Sequence, residues 1–187
     1  MEELVRYIRR ELERRGRLLL AIDGRCGCGK STLAARLAAD FGGSVVHTDD
    51  FYLPFAARKT DWREGVAANM DLLRLRDEVL VPLRRGERAR CRAYDCGEDR
   101  FLPPREVAAD GLVLLEGSYS AHPLLRAYYD GCVFVTASPK TQRARLRARE
   151  GEKYPAFETL WIPLEERYFA AFGIEERADF VIATDAP

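Results

Sequence analysis

Leu4, Ile8 and Leu12 recur every fourth residue with Arg and Glu between them, a spacing that predicts an amphipathic helix which Gly16 can end. Leu18-Leu19-Leu20-Ala21-Ile22 follows without alternation, the pattern of a strand buried on both faces, and stops at Asp23-Gly24. Past a group of glycines, Leu33, Leu37 and Phe41 return to helical spacing. Val45-Val46 starts a second strand that ends at His47-Thr48-Asp49-Asp50. Leu112-Val113-Leu114-Leu115, Cys132-Val133-Phe134-Val135 and Phe180-Val181-Ile182 supply three more strands of the buried type. Helical patterns lie between them around residues 69–85, 122–129, 139–149 and 157–173. Strands that alternate with helices predict an α/β fold: a five-stranded, mostly parallel sheet covered by helices on both faces. One stretch breaks the alternation. Arg88 to Tyr94 and Phe101 to Val107 flank Asp95-Cys96-Gly97-Glu98-Asp99, which reads as a hairpin or an irregular insertion expected to cover the substrate.

Composition narrows the function classes. At 187 residues the chain holds one domain with a sizeable core. Thirty Lys and Arg balance thirty Asp and Glu, so net charge gives no reason to expect nucleic acid or an anionic membrane as a partner. No apolar stretch approaches the roughly 20 residues a membrane span needs, and a cytoplasmic location follows by default. A homo-oligomer is compatible with the sequence, which does not fix the oligomeric state. Five cysteines are an odd number, awkward for a disulfide framework and ordinary for reduced thiols.

Gly24-Arg25-Cys26-Gly27-Cys28-Gly29-Lys30-Ser31 has the P-loop spacing of Gly, four residues, then Gly-Lys-Ser, and it stands between a predicted strand and a predicted helix. The glycines let backbone N–H groups turn inward around phosphate oxygens, and the helix start adds its positive end. Lys30 is expected to reach the β- and γ-phosphates of ATP, Ser31 to ligate Mg²⁺, and Thr32 to complete the nucleotide cradle. Cys26 and Cys28, one residue apart, read either as a thiolate metal pair or as small side chains that fit the loop. Zinc spacing of two to four residues favours the second.

Downstream carboxylates decide which P-loop chemistry this is. No Asn-Lys-x-Asp guanine reader is present, and the second and third strands end in Asp49-Asp50-Phe51-Tyr52 and Glu116-Gly117. In a parallel sheet these carboxylates gather at the carboxyl ends of the strands, beside the P-loop. Phosphoryl transfer to an alcohol needs one carboxylate as base and others around Mg²⁺. As a turn or N-cap residue, either Asp49 or Asp50 would have a purely structural job.

Gly24 through Ser31, Asp49-Asp50-Phe51-Tyr52 and Leu115-Glu116-Gly117, in this order and spacing, resemble the uridine kinase family and its phosphoribulokinase and pantothenate kinase relatives. The resemblance continues through Asn69-Met70-Asp71, Tyr94-Asp95, the arginine-rich stretch after Ser138-Pro139, Trp161 with Glu165 and Tyr168, and Ala178-Asp179-Phe180-Val181-Ile182. It implies a single P-loop kinase domain over 1–187, with an acceptor-side lobe near 50–107 and a lid near 139–155. It further implies ATP and Mg²⁺ as cofactors and a small-molecule acceptor, a nucleoside first. By the same resemblance Asp49 activates the acceptor hydroxyl, while Ser31, Asp49 and Glu116 surround the metal. Arg143 and Arg147, with Arg149 as a further candidate, lie in the lid over the phosphates. Asp50, Tyr52, Asp71, Tyr94 and Arg100 are the expected acceptor contacts.

The chain departs from that pattern where a His and Arg are expected a few residues after the Tyr-Asp. Cys96-Gly97-Glu98-Asp99-Arg100 contains no His, which puts a pyrimidine acceptor in doubt. His47 and His122, the only histidines, do not come from that loop. Phe51, Tyr52, Phe55, Trp62 and Tyr94 read as a stacking surface for a flat ring or as the lobe's own core. Two alternatives stay open beside a nucleoside kinase: a kinase of a vitamin-like or sugar alcohol, and a nucleotide-binding regulatory ATPase.

Overall fold

The structure, a computed structural model, describes residues 1–185; the last two positions of the expected domain lie outside the described residues. Helix α1 (Glu2–Arg15) leads into strand β1 (Arg17–Gly24), helix α2 (Lys30–Phe41) and strand β2 (Ser44–His47). A helical stretch follows as α3 (Leu72–Leu75), a π turn (Arg76–Leu80) and α4 (Val81–Arg85). Strands β3 (Ala89–Cys91), β4 (Tyr94–Asp95), β5 (Arg100–Phe101) and β6 (Arg105–Val107) precede β7 (Gly111–Glu116) and β8 (Gly131–Thr136). Helix α5 (Pro139–Glu150), the short α6 (Tyr154–Ala156), a π turn (Phe157–Trp161), α7 (Ile162–Phe172) and strand β9 (Phe180–Ala183) complete the order.

The five long strands form one sheet in the order β2-β7-β1-β8-β9, and every pairing is parallel. The sheet is thus wholly parallel where the sequence predicts a mostly parallel one. Successive side chains point to opposite faces. Leu19, Ala21, Val113, Leu115 and Phe134 pack with α3, α4 and α7 on one side. Leu18, Leu20, Ile22, Leu112, Leu114, Val133 and Val135 pack with α1 and α2 on the other. A sheet covered on both faces explains why its strands read as unbroken apolar runs.

Two sequence expectations change in detail. The second strand stops at His47, and Thr48–Phe51 forms a 3₁₀ turn, because Thr48 and Phe51 are pulled inward and fully buried. The insertion is one interrupted hairpin, with β3 antiparallel to β6 and β4 antiparallel to β5. Among the described residues no helix is long and apolar enough to cross a membrane. All five cysteines are free thiols.

Candidate active site

The register of the sheet sets Ile22 and His47 on either side of Glu116, so the ends of β1, β7 and β2 open onto one rim. A cavity of about 870 Å³ lies there, above the loop that joins β1 to α2. That loop turns through glycines at positive φ: Gly24, Gly27 and Gly29, the last capping α2. Lys30 Nζ donates to the Gly24 carbonyl at 2.7 Å and closes the loop into a ring. The first N–H groups of α2 have no intrahelical partner and carry partial positive charge, the local physics of a phosphate site.

Around this loop stands a chain of oxygen groups. Ser31 Oγ donates to Glu116 Oε1 at 3.0 Å, and His47 Nδ1 lies 2.7 Å from Glu116 Oε2. Burial pushes the Glu116 carboxyl up, but the His47 and Ser31 hydrogen bonds and the nearby Lys30 outweigh it and hold the group below its ordinary value. The Glu116 hydrogen bond raises His47 in return. Asp49 is exposed on the cavity floor, but the protein mass around it desolvates and so raises its carboxyl, and Glu116 and Glu165 add to the effect against Lys30. Glu165, only 5% exposed, accepts the Cys26 N–H at 2.9 Å and the Ser118 hydroxyl, tying α7 to the P-loop.

Beneath the site, Asp23 is fully buried and accepts from Gly24 N–H at 2.7 Å, Ala121 N–H at 2.8 Å and the Tyr168 hydroxyl at 2.8 Å. Burial pushes its carboxyl up to about 6, against the pull of those donors and Lys30. The folded chain therefore holds this proton between about pH 4 and 6 while an unfolded chain has lost it. Stability is expected to fall as pH rises through that window, by about 3 kcal/mol from this group, and to change no further above it. Urea denaturation of the wild type and of Asp23→Asn across that range checks this: the difference between them should carry the slope.

The cavity gathers many of the residues singled out from the sequence, namely Cys26, Gly27, Gly29, Lys30, Ser31, Thr32, Asp49, Tyr52 and Glu116. Gly24 supports the loop from behind, and Cys28 is wholly buried in the α1/α2 core. Burial raises the thiols of both Cys26 and Cys28, which keeps them protonated and opposes a thiolate metal site. Arg25 turns away to Glu166 at 2.6 Å and Glu175 at 3.0 Å.

Four acceptor contacts expected from the sequence lie off the cavity wall. Asp50 pairs with Arg105 at 2.7 Å, Asp71 caps α3 through the Arg74 N–H, Tyr94 bonds Asp99, and Arg100 pairs with Glu98 on the surface. Arg143 and Arg147 also lie off the wall of this cavity. They stand four residues apart on one face of α5, where Arg143 faces Glu158 and Arg147 covers the Tyr154 ring. The opposite face carries Arg145 and Arg149, and that is the face on the cavity. Arg145 bonds the hydroxyl and carbonyl of Thr184 at 2.8 and 2.6 Å.

The aromatic group divides as well. Phe51 is core, Phe55 packs on Tyr94, Tyr52 lines the cavity, and Trp62 meets Trp161 at 6.0 Å between centroids. His122 caps a 3₁₀ turn through the Leu124 N–H. Ser118 and Tyr119 enter the site without having been weighed for it, and Arg145 enters from the arginine-rich stretch without having been singled out. Glu165 had a legible signal, an acid inside the apolar stripe Leu164, Tyr168, Phe169.

Among solved structures, the chain is similar to a "possible uridine kinase" from Bacillus stearothermophilus, at 23% identity and a TM-score of 0.68, covering 96% of this chain and 99% of that one. It is also similar to D-glycerate 3-kinase from Cryptococcus neoformans var. grubii, at 16% identity and a TM-score of 0.64, covering 97% and 94%. No family model and no curated protein matches the sequence. The likeness establishes the α/β fold that the chain shares with these two structures.

Proposed function

We propose that this chain is a small-molecule kinase that moves the γ-phosphate of ATP to an alcohol. The observation that carries this reading is that Asp49 shares one cavity with the P-loop Lys30 and with the Ser31–Glu116 pair, a cavity whose wall also includes Tyr52, Tyr119 and Trp161. In a regulator that only binds nucleotide Asp49 would be left to position a water or contact Mg²⁺, and the aromatic wall of the cavity would have no ligand of its own.

In the proposed reaction the P-loop N–H groups and Lys30 hold the donor phosphates. Asp49 takes the proton of the acceptor hydroxyl; the new oxygen–phosphorus bond forms as the bond from γ-phosphorus to the bridging oxygen breaks, and ADP leaves. Ser31 and Glu116, both hard oxygen donors, suit Mg²⁺, which keeps waters and phosphate oxygens for its other ligands. When bound, Mg²⁺ would neutralise charge on the phosphates. No group of three or more His, Cys, Asp or Glu among the described residues could hold a metal by itself, so the nucleotide would supply part of the shell. The α5 segment would act as the lid, with Arg145 and Arg149 facing the phosphates.

Arg145→Ala is expected to raise the KM for ATP about 10-fold, the loss of one or two charge-assisted hydrogen bonds. Arg143→Ala should leave it within about 2-fold. ATP titration of initial rates separates the two. The reading itself is tested by ADP formation with Mg²⁺ and a panel of nucleosides, vitamin ribosides, pantothenate, glycerate and sugar phosphates. Acceptor-dependent turnover supports it; tight ATP binding with no acceptor effect on any compound removes it.

A further inference from the structure

The turn that follows β7 is strained where it meets the cavity. Tyr119 lies in the left-handed region, at φ +72°, where a bulky side chain is rarely found. Bonds on both sides pin it there. Thr48 Oγ1 donates to the Ser118 carbonyl at 2.9 Å, Ser118 Oγ donates to Glu165, and the His122 N–H donates to the Tyr119 carbonyl at 3.1 Å. The Ala121 N–H is held by Asp23 at 2.8 Å. Strain of this kind persists only where the surroundings over-determine it, and it collects at functional sites. Here it delivers a phenol to the cavity wall. The residue is only 3% exposed, and its ring meets that of Tyr168 edge to face with centroids 4.9 Å apart. The Tyr168 hydroxyl is spent on Asp23, whereas the Tyr119 hydroxyl forms no hydrogen bond among the described residues. An enclosed phenol ordinarily finds a partner, so this one is left for a ligand.

We infer that Tyr119 is a further catalytic residue, whose hydroxyl donates a hydrogen bond to an oxygen of the γ-phosphate and keeps it through transfer. This rests on the kinase reading and adds to its machinery. Cys26 of the P-loop and Asp49 both act on the hydroxyl, which puts it between the loop that holds the donor phosphates and the group that takes the acceptor proton. Ser118, its neighbour in the chain, lies 3.5 Å from Lys30 Nζ. Burial raises the phenol, and Glu165, Asp23 and Asp49 add to the effect, so it stays protonated at any working pH and cannot serve as a base. Its proton therefore stays in place while that of the acceptor goes to Asp49. A donor aimed at the phosphoryl oxygens counts most when charge spreads over them in transit, which lowers the barrier as well as holding the ground state.

The experiment compares the wild type with Tyr119→Phe, which keeps the ring on Tyr168 and removes only the hydroxyl. Calorimetric binding, with Mg²⁺, of ADP and of the non-hydrolysable β,γ-imido analogue of ATP isolates the γ-phosphate. The analogue is expected to weaken about 10-fold, the loss of one hydrogen bond to a charged group, and ADP to stay within about 2-fold. With an acceptor present, kcat should fall by about 10- to 100-fold while the KM of the acceptor stays within about 3-fold. The melting temperature should stay level, because the hydroxyl bonds nothing in the folded protein. A residue that served only the fold would move the melting temperature and leave the ratio of the two nucleotide affinities alone. Equal weakening of both nucleotides, no weakening of either, or a rise in the KM of the acceptor in place of the loss in kcat overturns the inference. Selective loss of the analogue in a protein that phosphorylates no compound would retain the γ-phosphate contact and remove the kinase reading. Acceptor-dependent turnover that Tyr119→Phe leaves unchanged would do the reverse.

Discussion

Replacing Asp49 by Asn is expected to lower acceptor-dependent ATP turnover by about 10²- to 10⁴-fold, the usual worth of a positioned general base. The change keeps the size of the side chain and removes only its capacity to take a proton. The backbone that carries it should hold, because Thr48 Oγ1 donates to the Ser118 carbonyl at 2.9 Å and Phe51 is fully buried on the other side. ATP affinity is expected to stay within about 3-fold, since the P-loop and Lys30 are untouched. Desolvation raises the Asp49 carboxyl in the folded chain, so removing its charge should not lower stability at neutral pH. The same direction fixes the pH dependence. The ionised form is the base, so the acid limb of kcat/KM should rise as pH climbs through a value above the ordinary aspartate range and disappear in the variant. Single-turnover rates across pH check both statements. An Asp49→Asn enzyme that turns over within a few-fold of wild type would move the base elsewhere, with Glu165 next in line.

Gly24→Ala is expected to destroy the fold. An added Cβ would lie 2.0 Å from the Val135 carbonyl oxygen and 2.7 Å from its nitrogen, at a φ of +134° that side chains rarely adopt. Val135 has little room to retreat, because β8 is clamped between β1 and β9 and Arg25 N–H already donates to that carbonyl at 3.2 Å. The expected loss exceeds about 4 kcal/mol, enough to leave little folded protein. Gly16→Ala is the control: it also sits at positive φ, +69°, but an added Cβ meets nothing within 4 Å. Its expected cost is about 1 kcal/mol, from the backbone conformation alone. Urea denaturation of the two variants separates steric contact from conformational strain. Equal losses would show that the close approach to β8 is not what the first glycine of the loop provides.

These two residues also show how much could be read without coordinates. A strand, a glycine loop and a helix within about 25 residues carry a local physical logic, since phosphate binding needs a close backbone approach and a free helix start at adjacent positions. Local patterns of this kind place Lys30, Ser31 and the five apolar strands. Parallel pairing then brings any carboxylate at a strand end to the same rim, which made Asp49 and Glu116 candidates before their strands were ordered. Asp23 and Glu165 show the opposite situation. Each is an acid within apolar surroundings, and only the partners that arrive from elsewhere, Ala121 and Tyr168 for one, Cys26 and Ser118 for the other, explain why it is tolerated.

The arginines of α5 mark the boundary most sharply. Their alternation in sequence separates them into two faces of one helix, Arg143 with Arg147 and Arg145 with Arg149, but nothing local says which face turns to the cavity. The packing of Leu146 against Gly27 and Cys26 decides it, and turns Arg145 toward Thr184 and the cavity. The same holds for the acceptor side. Asp50, Asp71, Tyr94 and Arg100 are the right kinds of residue near the right place, yet each is engaged by a neighbour from the hairpin or the α3 turn. By itself the sequence determined the α/β class, the phosphate loop and the carboxylates at the strand ends, because those depend on period, spacing and strand direction. Only the tertiary structure decided which face of α5 and which side chains line the cavity, because that depends on the rotation of each element about its own axis, which long-range packing sets.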